Sequence, residues 1–277
     1  MIHFIIHEGL GNQMFQYAFA LALRARGRKV VLDISYYDFF YKLSNYQMHN
    51  GFELDRVFGI KDKPVNRAGL HIHWLRLLHR LRPPFLYRYD DGHFDSRLLA
   101  HPPMYLRGFW EDERYFKDAE DDVRRVFCFQ GIDEKNLALA EEIRSRESVS
   151  IHVRRGDFAV ANRVLLGEDY YRKAVEFIKN KVEEPFFYVF TDDAEVGRTI
   201  ADGIGIQYKL LQHNKGADSY KDMYLMSQCR HNIIANSSFS WWGAWLNDNE
   251  NKIVVSPGKY VKGDDGDHPQ PNKWFII

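Results

Sequence analysis

From residue 149 onward, short apolar runs alternate with amphipathic segments of about 10–15 residues, and this alternation limits the possible folds. Apolar runs of this length read as buried strands, and segments with an apolar residue every three or four positions read as helices. Alternation of the two is typical of parallel sheets with helices on both faces. The predicted strands are 149–153, 186–191, 207–211, 232–235 and 252–255, and the predicted helices are 168–182, 193–204, 219–229 and 241–246.

The first 33 residues repeat this pattern as one β-α-β unit. A strand is expected over 4–7, a glycine turn over 9–12, a helix over 13–26 and a strand over 29–33. The stretch 36–107 shows no clear periodicity of apolar residues. Helices are expected over 111–126 and 134–146. Gly131 lies between these two helices and indicates a break in regular structure, so we expect two domains, 1–130 and 131–277.

In open parallel sheets, ligands bind at the carboxyl ends of the strands. The loops of interest therefore follow His7, Val153, Thr191, Leu211 and Ala235. Unusual polar segments follow several of these strands, which directs the search for function to them.

The first of these segments is HEGLGNQ at 7–13. A Gly-x-Gly turn between strand and helix lets backbone approach a ligand and points free N–H groups at negative charge. A dinucleotide-binding oxidoreductase is one alternative, since Asp33 ends the second strand at a suitable distance. However, Met14 stands where that fingerprint needs its third glycine, which counts against NAD or FAD. The adjacent amides of Asn12 and Gln13 suit polar contacts to a ligand.

The second segment is HVRRGD at 152–157, directly after an apolar strand. Guanidinium groups hold phosphate oxygens in bidentate geometry and remain charged at all relevant pH values. Arg154 and Arg155 therefore predict a compact phosphate site. Asp157 can orient an arginine or accept a hydrogen bond from a base or ribose.

The third segment is NSSFSWWGAW at 236–245, which again follows a strand. Serine hydroxyls and free N–H groups at a helix start make an anion site. An N-cap serine in front of an aromatic core is the structural alternative. The three tryptophans also raise the alternative of a non-catalytic glycan-binding protein, although that alternative does not explain the paired arginines.

The fourth segment is Thr191-Asp192-Asp193. Paired aspartates can bind a metal, cap a helix or contact a nucleotide. No histidine stands nearby in the sequence, so we expect no metal site and assign Asp192 to the donor.

Composition restricts the class of partner and the compartment. Lys plus Arg and Asp plus Glu each number 38, so the basic excess typical of nucleic-acid binding is absent. The two cysteines form no disulfide framework. The first residues lack the pattern of a signal peptide, and no window approaches about 18 uninterrupted apolar residues, so a cytoplasmic protein is expected.

Taken in order, these four segments resemble the α-1,2-fucosyltransferases, glycosyltransferase family 11, from residue 9 to residue 247. The resemblance implies an α/β fold of the GT-B-like type, with two facing Rossmann-like domains and parallel sheets. It also implies an inverting, metal-independent transfer of L-fucose from GDP-fucose to the 2-hydroxyl of a galactoside. No cofactor is implied beyond the donor substrate, which the domain 131–277 would hold while 1–130 serves the acceptor.

The resemblance also assigns roles to residues. Arg154 would grip the diphosphate and Arg155 would support it, while His152 and Asp157 would order the loop or reach the nucleoside. Donor contacts would also come from further positions in both domains, namely Asn12, Gln13, Asp192, Ser237, Ser238 and Phe239.

The family usually has glycine where this chain has Glu8, so a carboxylate or the His7 imidazole stands near the expected reaction centre. Glu8 and His7 are therefore the candidate bases, although an oxocarbenium-like transition state needs little help from a base. The expected partners are a nucleotide-sugar donor and a galactose-containing glycan, and a lipid-linked acceptor would add a peripheral membrane contact. Neither the acceptor glycan nor the oligomeric state follows from these motifs.

Overall fold

A computed structural model describes residues 1–37, 50–66, 70–90, 92–155, 164–258 and 270–277. The chain divides into two compact units, Met1–Gln130 and Gly131–Ile277. Each unit has its own parallel sheet.

The first unit contains a four-stranded parallel sheet with the strand order β2-β1-β4-β3. Its strands are β1 (Ile2–Ile5), β2 (Val30–Asp33), β3 (Tyr87–Tyr89) and β4 (Tyr105–Arg107). Its helices are α1 (Leu10–Ala25), α2 (Leu54–Phe58), α3 (Leu70–Leu81), α4 (Arg97–Ala100) and α5 (Glu120–Val126).

The β-α-β start of the chain forms as predicted, with shifted boundaries. β1 ends at Ile5 rather than at residue 7, and α1 begins at Leu10, inside the stretch interpreted as a turn. Gly27 follows the helix with a φ of 76°, a left-handed conformation that glycine adopts without the steric cost of a side chain. His7 and Glu8 therefore lie in the loop between β1 and α1.

The stretch 36–107, which shows no period in the sequence, contains the two other strands of this sheet. β4 pairs with β1, so it occupies an inner position. Each of these strands has only three residues, too few to display an alternating pattern. The expected helix over 111–126 was too long, because 3₁₀ turns at Glu113–Tyr115 and Lys117–Ala119 precede the short α5.

The second unit contains a six-stranded parallel sheet with the order β10-β9-β8-β5-β6-β7. Its strands are β5 (Ser148–Val153), β6 (Phe186–Thr191), β7 (Tyr208–Leu211), β8 (His231–Ile233), β9 (Val254–Ser256) and β10 (Phe275–Ile276). Its helices are α6 (Glu134–Arg144), α7 (Glu168–Lys179), α8 (Ala194–Ile204), α9 (Tyr220–Gln228) and α10 (Ser238–Trp245). All predicted elements of this region form, and the two-residue β10 is an addition.

Helices cover both faces of the second sheet, as the buried strands require. On β6, Phe187 and Val189 pack in one core cluster with α7 and α8. Tyr188 and Phe190 point to the other face and pack with α6 and α9. Successive side chains of a strand point to opposite faces, so one apolar run serves two cores.

The order of strands in the second sheet brings three loops together. β5 lies between β6 and β8, and Val153 pairs with Thr191 at the carboxyl ends of their strands. Arg154 and Arg155, the aspartate pair and the start of α10 therefore share one edge of the sheet. Within the described ranges, no helix is long and apolar enough to cross a membrane.

Candidate active site

In the second unit, the arginine segment is joined to the aspartate pair at the carboxyl edge of the sheet. The Nη1 atom of Arg154 lies 2.9 Å from Oδ2 of Asp192. The backbone N–H of Arg155 donates to Oδ1 of the same carboxylate, also at 2.9 Å. Asp192, which follows β6, thus bonds to both Arg154 and Arg155, which follow β5. It orients the Arg154 guanidinium and the backbone of the loop at the same time.

Arg154 and Arg155 are both partly exposed to solvent. The side chain of Arg154 is 31% exposed and that of Asp192 is 24% exposed. The Nε atom of Arg155 is buried, and it has no hydrogen-bond partner within the described part of the chain. A guanidinium that is oriented but still reachable is suited to binding a phosphate. Asp157, the last predicted residue of this segment, lies outside the described residues.

His152 lies beneath these arginines as a buried neutral ring. It is 5% exposed, and burial, followed by the charge of Arg154, lowers its pKa to about 3. Its carbonyl accepts a hydrogen bond from the Tyr171 hydroxyl at 3.0 Å, and its ring centroid lies 5.9 Å from that of Phe239. His152 therefore links the end of β5 to the start of α10, which agrees with an ordering role.

The N-terminus of α10 lies at the same edge. Ser237 is the N-cap residue, and its carbonyl accepts from the backbone N–H of Trp241 at 3.0 Å. Its side chain makes no capping hydrogen bond in the described structure. Ser238 begins the helix, and Phe239 packs partly against the core between α6 and α9. The turn therefore presents serine groups and helix N–H groups at the edge where Arg154 lies.

The tryptophans of α10 belong to the core and do not form a sugar-binding surface. Trp241, Trp242 and Trp245 are at most 3% exposed. Trp241 also packs against Trp274, with the ring centroids 5.3 Å apart. A Cβ at Gly243 would come within 2.9 Å of the Met226 Cβ, so this glycine permits the close approach of α10 and α9. Their burial agrees with the alternative of an aromatic core behind an N-cap serine and removes the basis for the alternative of a glycan-binding protein.

In the first unit, Glu8 occupies the unusual backbone position of the β1–α1 loop. Its φ is 66°, the left-handed conformation that glycine accepts and other residues rarely adopt. Its carbonyl accepts two hydrogen bonds, from Gln13 Nε2 at 2.9 Å and from the Tyr37 hydroxyl at 2.7 Å. These two hydrogen bonds hold the carbonyl of Glu8 in a conformation that glycine would adopt without the steric cost of a side chain.

Gln13 and Asn12 differ in their placement. The side chain of Gln13 is fully buried, its amide nitrogen also donates to the Gly51 carbonyl at 2.8 Å, and its amide oxygen accepts from the Glu53 N–H at 2.9 Å. Backbone carbonyls thus accept both amide hydrogens, which gives the Gln13 side chain a role in fixing the loop, and its predicted contact to the donor stays a prediction. Asn12 is only half-buried in the first turn of α1, where its N–H donates to the Gly9 carbonyl at 3.0 Å.

His7 is buried directly beside Glu8. Its Nδ1 atom lies 3.9 Å from Glu8 Oε1, and its ring packs between Tyr36 and Phe109 with centroid distances of 5.1 and 5.4 Å. Neither ring nitrogen has a hydrogen-bond partner among the described residues. Burial lowers the pKa of His7, the Glu8 carboxylate opposes this effect, and Arg107 adds to it. His7 is therefore a neutral imidazole with unused hydrogen-bonding groups.

Arg107 is the residue of this edge that the sequence reasoning missed. It ends β4 beside Ile5 of β1, and its guanidinium carbon lies 4.8 Å from the ring centroid of Tyr36 and 5.8 Å from that of Tyr89. Its Nε atom is buried without a hydrogen-bond partner in the described ranges. The signal in the sequence is weak, since Arg107 is a single arginine at the end of a strand too short to recognise.

Gln16 of α1 connects the loop after β1 to the loop after β4. Its side-chain oxygen accepts from the His7 N–H at 3.0 Å, and its amide nitrogen donates to the Gly108 carbonyl at 3.0 Å. The loops after β1 and β4 are thereby fastened to α1. No group of three or more His, Cys, Asp or Glu side chains able to hold a metal occurs among the described residues.

Comparisons with known proteins agree with these features. The model of glycosyl transferase family 11 matches residues 86–263. An α-1,2-colitosyltransferase of Escherichia coli is 31% identical in an alignment of 286 positions, gaps included, that covers 97% of this chain and 96% of that protein. A galactoside α-(1,2)-fucosyltransferase 1 of Alouatta caraya is 27% identical over 252 residues, 85% of this chain and 62% of that protein.

Among solved structures, the NodZ α-1,6-fucosyltransferase soaked with GDP-fucose matches with a TM-score of 0.51 at 17% identity, over 88% of this chain and 91% of that chain. This likeness concerns the fold alone. Together with the two parallel sheets, it confirms the expected α/β, GT-B-like fold class. The family model covers well over half of the chain, and the colitosyltransferase aligns along nearly all of it. The chain therefore belongs to glycosyl transferase family 11.

Proposed function

We propose that this glycosyltransferase moves L-fucose from GDP-fucose to the 2-hydroxyl of a galactoside, forming an α-1,2 linkage with inversion. The observation that carries the proposal is the carboxylate of Asp192, which holds Arg154 and the Arg155 backbone at one sheet edge. In the reaction, the acceptor oxygen bonds to the anomeric carbon, and the bond from that carbon to GDP breaks. GDP leaves with the bonding electrons, and the hydroxyl proton passes to a base or to water.

The groups of the second unit suit the leaving diphosphate. Negative charge grows on GDP as the bond breaks, and fixed positive groups stabilise the transition state without reorganising. Arg154 offers a planar fork to two phosphate oxygens, and the start of α10 offers N–H groups with Ser237 and Ser238. We assign the donor to 131–277, with Arg155, His152, Asp157 and Phe239 supporting the nucleotide and Asp192 acting as a positioning residue.

The groups of the first unit suit the acceptor. His7 is neutral at physiological pH because burial and Arg107 lower its pKa, so its free nitrogen can accept a proton. Glu8 has a side chain that is 34% exposed, which makes it the more accessible base. We assign acceptor binding to 1–130, with Glu8 and His7 as the candidate bases, Asn12 as a contact to the donor, and Gln13 as the residue that fixes the loop.

The test is a transfer assay with GDP-fucose and a panel of galactosides, in which α-1,2 linkages are identified by NMR of the product. Transfer to a galactoside 2-hydroxyl supports the proposal, and GDP binding without transfer to any galactoside contradicts the acceptor assignment. A parallel reaction in excess EDTA is expected to proceed normally, since the proposed donor site consists of arginines and helix N–H groups. Activity that EDTA abolishes and manganese restores would contradict the metal-independent mechanism.

A colitose donor is the second candidate, favoured by the 31% identity to an α-1,2-colitosyltransferase along nearly the whole chain. Colitose is fucose without the 3-hydroxyl, so the two activities differ at one polar group. A site that hydrogen-bonds this hydroxyl rejects the deoxy sugar by about 10⁴–10⁵, whereas an apolar site rejects the hydroxyl by only about 10². The ratio of kcat/KM for GDP-fucose and GDP-colitose under identical conditions decides between them.

A further inference from the structure

The segment from Lys63 to Tyr89 has a charge pattern unlike the rest of the chain. It contains six basic residues, namely Lys63, Arg67, Arg76, Arg80, Arg82 and Arg88, and no Asp or Glu. Over the whole chain, basic and acidic residues are equal in number, at 38 each. The basic excess is therefore local, and it is centred on α3.

One face of α3 packs against the core of the first unit. Leu75 and Leu78 are 8% and 2% exposed. They pack in a cluster with Ile5, Tyr87 and Tyr105, which belong to or adjoin the sheet. This packing explains why the helix forms where it does, and it uses only part of the apolar surface of the helix.

A second apolar face of α3 lies in solvent. Trp74 is 41% exposed, Leu77 is 44% exposed and Leu81 is 65% exposed. Their spacing of three and four residues places them in one stripe along the helix. Four residues beyond the helix, Phe85 is 95% exposed. Isolated exposed apolar residues are ordinary, but a contiguous group of large ones marks an interaction surface.

The basic residues flank this stripe. Arg76 and Arg80 are exposed on the same helix, about 100° or less from the apolar stripe at 3.6 residues per turn. Arg82 follows at the end of the helix, also exposed. A helix with a tryptophan-containing apolar face bordered by arginines is typical of segments that lie in the plane of a membrane interface.

We propose that Trp74, Leu77, Leu81 and Phe85, together with Arg76, Arg80 and Arg82, form a surface that binds an anionic lipid bilayer. We call these seven residues the lipid-facing surface. Charge complementarity selects this occupant: anionic headgroups attract each arginine, and the apolar side chains enter the boundary with the acyl chains. A second copy of the chain would set the same positive charges against each other. The inference does not depend on the identity of the donor or the acceptor.

The experiment is sedimentation of the full chain with vesicles of phosphatidylcholine alone or of an equal mixture with phosphatidylglycerol. We expect binding to the mixed vesicles, little binding to phosphatidylcholine, and weaker binding as salt screens the charges. The double substitution R76Q/R80Q should weaken binding by roughly 30-fold, about fivefold for each arginine. The double substitution W74S/L81S should reduce binding in low salt as well, because it removes the inserting side chains.

Matched controls come from the second unit. K173Q/R198Q removes two exposed charges, one from α7 and one from α8. L137S removes a leucine of α6 whose exposed fraction, 44%, equals that of Leu77. Both controls should bind as the unsubstituted protein does, and thermal melting verifies that every variant folds. Equal binding to both kinds of vesicle, or equal loss in the controls, would overturn the proposal. So would a concentration-dependent dimer that W74S/L81S dissociates while vesicle binding is absent.

Discussion

The carboxylate of Asp192 lies 2.9 Å from the guanidinium of Arg154, although 37 residues separate the two in the chain. Asp192 follows β6 and Arg154 follows β5, and these strands are parallel neighbours that end at the same level. The direction of the arginine is therefore set by a residue on another strand. In the proposed function, Arg154 is the group that binds phosphate and Asp192 is the group that orients it.

Replacement of Arg154 by lysine should reduce kcat/KM by about 10² or more, although the charge is kept. Lysine is a point donor and cannot reproduce a planar fork on two phosphate oxygens. The measurement is steady-state kinetics at several donor concentrations, with R172K on α7 as the matched control. Near-normal turnover in R154K would contradict the assignment of the donor site.

Replacement of Asp192 by asparagine should act through Arg154. The amide can still accept from the Arg155 N–H, but it no longer pairs with the guanidinium. If Asp192 only positions Arg154, D192N should reduce kcat/KM only slightly when R154K is already present. A double-mutant cycle on kcat/KM should then give a coupling energy of about 0.5–3 kcal/mol. Strictly additive effects would instead indicate that Asp192 contacts the donor independently.

Two substitutions at Glu8 distinguish a base from a replaced glycine. E8Q keeps the shape and removes the basic carboxylate, whereas E8G also suits the φ of 66°. If Glu8 is the base, both variants should lose about 10²–10⁴ in kcat with donor affinity unchanged. If it only fills a glycine position, E8G should stay active, with a melting temperature within a few degrees of the parent. Activity retained in both variants would direct attention to His7.

Replacement of Gln13 by leucine should destabilise the protein without weakening GDP binding in the remaining folded molecules. The substitution removes the Gln13 partner of the buried Glu53 N–H and of the Gly51 carbonyl, at about 1–3 kcal/mol for each group left unsatisfied, whereas the Glu8 carbonyl keeps the Tyr37 hydroxyl. Chemical denaturation measures the loss, and calorimetric titration with GDP at low temperature measures the affinity. Unchanged stability with lost GDP affinity would restore Gln13 as a donor contact.

His152 should make the protein less stable in acid. Its pKa in the folded state is about 3, below the ordinary value of 6.5, so the unfolded chain binds more protons between these two values. The contribution of His152 is therefore complete above pH 6.5 and is lost as the pH falls towards 3, by up to about 1.4 kcal/mol per pH unit. Urea unfolding from pH 7 to pH 4 should show this slope, and H152Q should reduce it. An unchanged slope in H152Q would contradict the burial of a neutral ring.

Much of this molecule follows from local pattern. The strands and helices of the second unit have apolar periods long enough to recognise, and the loop after each strand is then located by the rule for parallel sheets. The segment at 152–157 predicts a phosphate site because arginine chemistry does not depend on distant residues.

Other features depend on contacts between distant parts of the chain. β3 and β4 are too short to show a period, and they are strands only because β1 pairs with them. Gln13 and the tryptophans of α10 have side chains suited to ligands, but all of them are buried, and backbone carbonyls accept both amide hydrogens of Gln13. Arg107 meets His7 only through the pairing of β4 with β1. The sequence by itself determines which chemical groups the chain carries and where regular strands end. The tertiary structure decides which of those groups are buried in the core and which remain accessible to a substrate, because burial depends on contacts between distant parts of the chain.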